Sequence, residues 1–204
     1  MRTSSESAPH RGSGARIRGR RLPETLTGEE QRRLLMQPNA AAPTGLRNLC
    51  MMQVMLDAGL RSAELLNLRV RDIEWMAGKL TVKEGKGNKD RVLWLNEDAL
   101  DRLREWRERR PAPSEYLFTT LHGKPVMSNY YRKTVKRYAR KAEIPKDVHP
   151  HTLRHTFATD LYRETKDIRL VQKALGHADV STTMIYTHIV DEDLEDAMKT
   201  FRRN

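Results

Sequence analysis

The chain has 204 residues, with 38 lysines and arginines against 27 aspartates and glutamates, so its formal net charge is +11. This length suits one domain with a sizeable core, and the positive excess favours a polyanionic partner, with nucleic acid as the first candidate. A ribosomal-type or merely basic protein has a similar charge. No stretch approaches the ~20 apolar residues of a membrane span, and no apolar segment of a secretory signal follows the N-terminus. With the single cysteine, Cys50, these features predict a cytoplasmic protein.

The first segment, residues 1–21, combines six arginines with serine, glycine and proline and has almost no apolar side chains. Such a segment buries too little apolar surface to offset the entropy lost on ordering. We therefore predict a disordered basic arm over residues 1–21, with an expression tag as the alternative. The ordered domain is predicted to cover residues 22–204.

Helical patterning begins at a capping box formed by Thr27 and Glu30, which precedes an apolar run. The next helix is predicted over about 45–57 and ends at Gly59. Apolar residues surround its axis, so this helix should be central and buried. A short helix follows Arg61 in the segment AELLNL.

The pattern then changes to alternation. Residues 79–83 and 90–95 are strand-like, and the turn EGKGNK between them predicts a β-hairpin. Helical periodicity returns after residue 96 and predicts helices over about 97–109, 128–142, 151–164, 168–175, 182–188 and 191–202. The predicted fold class is therefore mainly α with a small antiparallel β-sheet.

The segment HPHTLRHTFATDL carries a first group of candidate functional residues. His151 and Arg154 lie three residues apart on a predicted helix and share one face, where a neutral proton acceptor beside a permanent cation suits a phosphate. His155 follows His151 by four residues, which is also the spacing of a zinc-ligand pair. No carboxylate stands between them in the metalloprotease arrangement and no third ligand is evident, so we predict no metal and no cofactor.

The segment ALGHADVSTTMIYTHI carries a second group. Ser181 caps a predicted helix that contains Tyr186, and a single tyrosine in an amphipathic helix is normally a half-buried packing residue. The two helices also resemble a helix-turn-helix, which would make the protein a DNA-binding regulator that does not cut DNA. Arg61, and Lys86 in the hairpin turn, are ordinary solvated charges when each is considered alone.

Six polar residues in four separated segments together resemble the tyrosine recombinase family, which includes Xer resolvases, phage integrases and fimbrial invertases. The matching segments are GLRSAELLNL, GKGNKDRVLWL, HPHTLRHTFATDL and VQKALGHADVSTTMIYTH, and the resemblance covers about residues 22–203. It implies the fold of the recombinase catalytic domain and the catalytic residues Arg61, Lys86, His151, Arg154, His177 and Tyr186. Glu64 matches an accessory acidic position, although Ser-Ala is a less usual pair between it and Arg61.

The resemblance also implies a mechanism in which Tyr186 attacks the scissile phosphate and leaves a 3′-phosphotyrosyl link. A tyrosine with a pKa of about 10 is almost entirely protonated at pH 7, so it needs a base or proton relay, for which His151 is the candidate. Lys86 would give a proton to the departing 5′ oxygen. Arg61 and Arg154 would stabilise the charge of the transition state, so no metal is needed.

Double-stranded DNA is the implied partner, and the protein is expected to self-associate on DNA as a tetramer within the nucleoid. An apolar stripe in the last predicted helix would dock on a neighbouring protomer or, alternatively, pack on its own core. Xer-type relatives have a further DNA-clamping domain before the catalytic one. Because order here begins where their catalytic domain begins, we expect either a short member without a separate N-terminal domain or a fragment. A type IB topoisomerase shares the chemistry.

Overall fold

The structure is a computed structural model that describes residues 24–83, 90–176 and Met198. These residues form seven α-helices, a 3-10 turn and three short strands. In chain order they are α1 (Gly28–Leu35), α2 (Pro43–Ala58), α3 (Ser62–Asn67), the 3-10 turn (Val70–Asp72), β1 (Ile73–Glu74), β2 (Lys79–Val82), β3 (Arg91–Trp94), α4 (Glu97–Arg109), α5 (Ser128–Lys141), α6 (Pro150–Thr165) and α7 (Ile168–Leu175). The predicted fold class, mainly α with a small antiparallel sheet, is confirmed.

Three predictions fall outside the described residues. They are the arm over residues 1–21, the hairpin turn with Lys86, and, apart from Met198, the helices expected over 182–188 and 191–202. In the described ranges, no helix has both the length and the apolar character that a membrane crossing requires.

The first helix begins at the predicted capping box. Thr27 accepts a hydrogen bond from the Glu30 backbone (3.2 Å), and the Glu30 carboxylate accepts one from the Thr27 backbone (2.8 Å). Lys146 donates to the same carboxylate at 2.5 Å and so ties α1 to the loop before α6. The local cap therefore also serves as a tertiary anchor.

Helix α2 is the central element, as predicted. Its side chains Met51, Met52 and Met55 are fully buried, and it packs against both α4 and α6. The helix ends at Gly59, whose backbone is left-handed (φ 59°). A Cβ at Gly59 would lie 2.1 Å from the Phe157 ring of α6, so this position has room only for glycine.

The sheet has the order β1-β2-β3 with antiparallel neighbours, and it contains the predicted hairpin. The strand β1 was not predicted because two residues are too few to show an alternating pattern. In β3 the side chains alternate, with Arg91 and Leu93 buried and Val92 and Trp94 exposed. The inward face of β3 packs against α7, which brings Arg91 next to the end of that helix.

Candidate active site

Arg61 and Glu64 are held together by the start of α3. Arg61 precedes the helix, and its backbone N–H donates to Glu64 Oε2 at 2.7 Å. The side chain of the same arginine donates from Nη1 to Glu64 Oε1 at 2.6 Å. Because the acid sits three residues into the helix and turns back on the residue before it, this short segment fixes both side chains.

Glu64 is also the centre of a larger cluster. Arg91 forms a bidentate pair with it, from Nη2 to Oε2 at 2.7 Å and from Nη1 to Oε1 at 3.1 Å. Arg154 Nη1 lies 3.9 Å from Oε2. Burial alone would raise the pKa of Glu64, but the hydrogen bonds from Arg91 and Arg61 outweigh burial and hold that pKa below its ordinary value. Among the described residues, three guanidinium groups therefore surround one ionised carboxylate, so that the positive charges there outnumber the negative ones.

The same three arginines meet the C-terminal end of α7. Each donates to one of three consecutive carbonyl oxygens: Arg91 Nε to Ala174 (2.9 Å), Arg154 Nη2 to Leu175 (2.8 Å) and Arg61 Nη2 to Gly176 (2.8 Å). The last carbonyls of a helix have no partner within the helix and carry the negative end of its dipole, so cations are favourable there. The cluster therefore holds the chain at the residue before His177.

Of the two arginines predicted to bind phosphate, Arg61 and Arg154, Arg154 is the more enclosed. It is 6% exposed, and its Nη1 donates to the carbonyl of Gly59 at 2.6 Å, whereas the side chain of Arg61 is 39% exposed. The cluster is thus closed on the Arg154 side and open on the Arg61 side.

His151 lies in the first turn of α6, one turn before Arg154. Loss of hydration, together with the nearby charges of His149 and Arg154, lowers the pKa of His151. A lowered pKa favours the neutral imidazole, which is the form able to accept a proton. His155 is more enclosed, and burial lowers its pKa to about 4. Across residues 24–83 and 90–176, no three histidine, cysteine or acidic side chains are grouped so as to hold a metal ion.

An open groove of about 630 Å³ lies beside His151. Its walls come from the start of α3, one flank of α5 and the start of α6, and its lining residues are Ser62, Ser128, Arg132, Lys133, Lys136, Asp147, His149, Pro150 and His151. One acid in this lining, Asp147, is paired with Lys136 at 2.7 Å. The remaining cations make the groove a basic surface next to the arginine cluster.

The structure brings together Arg61, Glu64 and Arg154, which the sequence separates by up to 93 positions, from 61 to 154. His151 joins them through its place on α6. The other predicted catalytic residues, Lys86, His177 and Tyr186, lie outside the described residues.

Sequence reasoning missed Arg91. The alternation in β3 contained the necessary pattern, because Leu93 and Leu95 are the inward positions of RVLWL and Arg91 shares their side of the strand. A charged residue at an inward position requires a buried partner. That partner is Glu64.

The sequence model of the phage integrase family matches residues 24–193. The tyrosine recombinase XerD of Ralstonia nicotianae is 39% identical over 180 residues, which cover 85% of this chain and 58% of that protein. XerD of Halalkalibacterium halodurans is 36% identical over 188 residues, covering 89% of this chain and 62% of the relative. This chain therefore spans about three fifths of the length of these curated relatives.

Comparison with solved structures also finds recombinases. The crystal structure of XerA recombinase superposes with a TM-score of 0.77 at 33% identity, over 90% of this chain and 66% of the other. The XerH site-specific recombinase in a post-cleavage complex with palindromic difH substrate has a TM-score of 0.74 at 33% identity, over 90% and 54%. The fold is that of the tyrosine recombinase catalytic domain, and the chain belongs to the phage integrase family.

Proposed function

We propose that this chain carries out site-specific DNA strand exchange, cutting and rejoining DNA through a covalent tyrosine intermediate at Tyr186. One observation carries the proposal. Two arginines from separate segments, Arg61 and Arg154, converge on the largely enclosed carboxylate of Glu64, and among the described residues the positive charges there outnumber the negative ones beside an open basic groove. The names of the relatives, tyrosine recombinase XerD and XerH, agree with this activity.

In the proposed cleavage step, Tyr186 Oη forms a bond to phosphorus while the bond from phosphorus to the 5′ oxygen breaks. The phenol proton passes to His151, directly or by relay, and Lys86 gives a proton to the departing 5′ oxygen. The products are a 3′-phosphotyrosyl link and a free 5′-hydroxyl. Because the phosphodiester is exchanged and not hydrolysed, the reverse step with another 5′-hydroxyl rejoins DNA without ATP.

The arginines act on the phosphate. Arg61 and Arg154 would neutralise the charge that builds on its non-bridging oxygens, and His177 would donate a further hydrogen bond. Their positions are set before DNA binds, because Glu64 and the α7 carbonyls already orient both guanidinium groups. No cofactor is part of this proposal.

The DNA duplex would lie along α5. Arg132, Lys133 and Lys136 line the groove beside His151, and the adjacent face of the helix adds Arg137, Arg140 and Lys141 around a second groove of about 770 Å³, which Lys133 also lines. Such a double row of cations suits the phosphates of a DNA backbone and predicts binding that weakens steeply with salt. A DNA substrate would place the protein in the cytoplasm, on the nucleoid.

A regulator that binds DNA without cutting is the less favoured function. It needs basic surface but gives no reason for two arginines and an ionised glutamate to be enclosed beside that surface. The relatives' names also favour a recombinase over a topoisomerase. Integration, excision, inversion and dimer resolution would all use these same residues.

Covalent capture tests the function. The full chain is incubated with nicked duplexes carrying candidate sites from the neighbourhood of its own gene, and adducts are separated on a denaturing gel. The wild type and Tyr116→Phe should form 3′-linked adducts, whereas Tyr186→Phe should bind DNA and form none. Adducts with Tyr186→Phe would reject the nucleophile, and bound wild-type protein without any adduct would favour the regulator.

Assembly is a separate part of the proposal. We expect a monomer in free solution and a tetramer on paired sites, with residues 190–204 docking on a neighbouring protomer. Deleting residues 190–204 should spare binding to one half-site and abolish cooperative gel shifts. Equal cooperativity for the truncated and full-length chains would assign the last helix to its own core.

A further inference from the structure

The Arg91 side chain joins three segments of the candidate site while remaining out of solvent. It is 7% exposed, and its three donor nitrogens all bond within the protein. Nη1 and Nη2 bond the carboxylate of Glu64 on α3, and Nε bonds the Ala174 carbonyl of α7. The backbone of Arg91 pairs with Val82 across the hairpin whose turn carries Lys86.

This arrangement requires the shape of an arginine. The two Nη atoms bond the two oxygens of Glu64 in parallel, and Nε bonds a carbonyl on another edge of the same plane. A lysine ammonium keeps the charge but is a single point, so it cannot span the carboxylate and the helix end together.

Glu64 needs this partner because other cations compete for it. Arg154 Nη1 lies 3.9 Å from Glu64 Oε2, so it is near the carboxylate without making a close ion pair. If Arg91 were absent, the enclosed carboxylate would attract Arg154 into the gap. That shift would take Arg154 away from the carbonyls of Gly59 and Leu175 that now orient it.

We propose that Arg91 is a positioning residue for DNA cleavage: by occupying Glu64 and the end of α7, it keeps Arg154 and Arg61 aimed at the scissile phosphate. The inference rests on the proposed function and deepens it. Arg91 is enclosed and does not contact DNA; it acts through Glu64.

The test uses the full chain and the nicked duplex on which the wild type forms adducts. Single-turnover adduct formation at saturating DNA is compared for Arg91→Met, Arg91→Lys, Glu64→Gln and the double variant Arg91→Met/Glu64→Gln. Arg71→Met, at an exposed position outside the cluster, is the matched control. DNA affinity and thermal unfolding are measured for each protein.

Arg91→Met should lower the cleavage rate about 100-fold, the scale expected for misplaced catalytic groups, without changing DNA affinity. Arg91→Lys should recover only part of that loss. In the double variant the carboxylate that attracts Arg154 is gone, so it should cleave faster than Arg91→Met alone. This recovery separates positioning from a general loss of structure. If Arg91→Met is too unstable to assay, the same comparison is made between Arg91→Lys and Arg91→Lys/Glu64→Gln.

A substrate with sulfur in place of the departing 5′ oxygen gives a second readout. A thiolate leaves without receiving a proton, so this substrate would restore a variant whose only defect is a misplaced Lys86. The Arg91→Met defect should persist with sulfur. Three results would each overturn the role of Arg91. One is full recovery of Arg91→Met cleavage on the sulfur substrate, and another is an Arg91→Met cleavage rate within about threefold of wild type. The third is a double variant whose loss of rate equals the product of the losses of the two single variants. Absence of wild-type adducts would instead overturn the proposed function.

Discussion

Two enclosed clusters of polar side chains that contain arginine are built in opposite ways in this molecule. At one end of α2, Arg91 and Arg154 surround the carboxylate of Glu64. In the first half of the same helix, Arg47 is 3% exposed, and in the described part of the chain its side-chain hydrogen bonds all go to neutral groups. These are the carbonyl of Thr119, the amide oxygen of Asn48 and the hydroxyl of Tyr130.

The two clusters differ in what their arginines contact. The arginines around Glu64 include one that is open to solvent, whereas Arg47 contacts only protein groups among the residues that the structure describes. In the described part of the chain, the cluster at Glu64 has more cations than anions and opens to solvent through Arg61, as the proposed binding of a phosphate requires. Arg47 is closed off, and burial lowers its pKa. Its hydrogen bonds join α2 to α5 and to the loop before it. We therefore expect loss of Arg61, which is open to solvent, to affect cleavage and loss of the enclosed Arg47 to affect folding.

The largest contrast should come from Arg61→Ala and Arg47→Met. Loss of Arg61 removes a donor to the developing phosphate charge and should slow cleavage about 1,000-fold with little effect on the melting temperature. Arg47→Met leaves buried acceptors without a donor and should lower the free energy of unfolding by about 1–3 kcal/mol. Single-turnover cleavage and chemical denaturation measure the two effects. A cleavage defect of similar size in folded Arg47→Met would remove the distinction.

Local patterns were sufficient to predict most of this architecture. The helix of residues 97–109 was predicted with the bounds that α4 has, because its cap and apolar period are both within the segment. The strand β1 and the role of Arg91 were missed, since both depend on partners distant in sequence: Leu80 faces Ile73, and Glu64 receives Arg91. Arg61, Glu64 and Arg154 were named through family resemblance, and their spacing alone does not reveal that the two arginines, together with Arg91, donate to three consecutive carbonyls.

The next largest effect is the response of stability to acid, which should differ between the two clusters because, among the described residues, only the first contains a carboxylate. Glu64→Gln leaves enclosed arginines without their anion and should lower the free energy of unfolding by about 3 kcal/mol at neutral pH. Because the folded state lowers the pKa of Glu64 from its ordinary 4.5, this stabilisation is complete above that pH. It is lost as pH falls through the lower, folded-state value.

The matched comparison is Arg47→Met, whose partners do not titrate in acid. Urea unfolding of all three proteins between about pH 7 and pH 3 should show the wild-type advantage over Glu64→Gln shrinking. The advantage over Arg47→Met should stay constant across the same range. A constant difference for Glu64→Gln would mean that the carboxylate is not ionised in the cluster.

Gly59→Ala should have a smaller effect on stability, of about 2 kcal/mol. Its left-handed backbone disfavours a side chain, and the new methyl group would meet the Phe157 ring at 2.1 Å. The carbonyl of Gly59 also orients Arg154, so cleavage should fall together with the melting temperature. Trimming the ring with Phe157→Leu in the same chain should restore part of both. Recovery of stability without recovery of cleavage would show that the carbonyl had moved.

The smallest effect should separate two neighbouring tyrosines at the second cluster. The hydroxyl of Tyr130 accepts from Arg47 Nη2 at 2.7 Å, whereas Tyr138 accepts only a long bond of 3.4 Å from Asn48 among the described residues. Tyr130→Phe leaves a charged donor without its acceptor and should lower the free energy of unfolding by about 1.5 kcal/mol, against about 0.5 kcal/mol for Tyr138→Phe.

The way in which the stability difference between wild type and Tyr130→Phe changes with pH tests whether Arg47 stabilises the Tyr130 phenolate. Burial would raise the pKa of Tyr130, but the Asn48 hydrogen bond and the charge of Arg47 outweigh burial and lower it from 10.0. A tyrosine with a lowered folded-state pKa stabilises the protein further as pH rises toward its unfolded value. The difference between wild type and Tyr130→Phe should therefore widen in alkaline urea titrations. A narrowing difference would mean that Arg47 does not stabilise the phenolate, and the pairing of Arg47 with Tyr130 would then be a hydrogen bond between a cation and a neutral hydroxyl only.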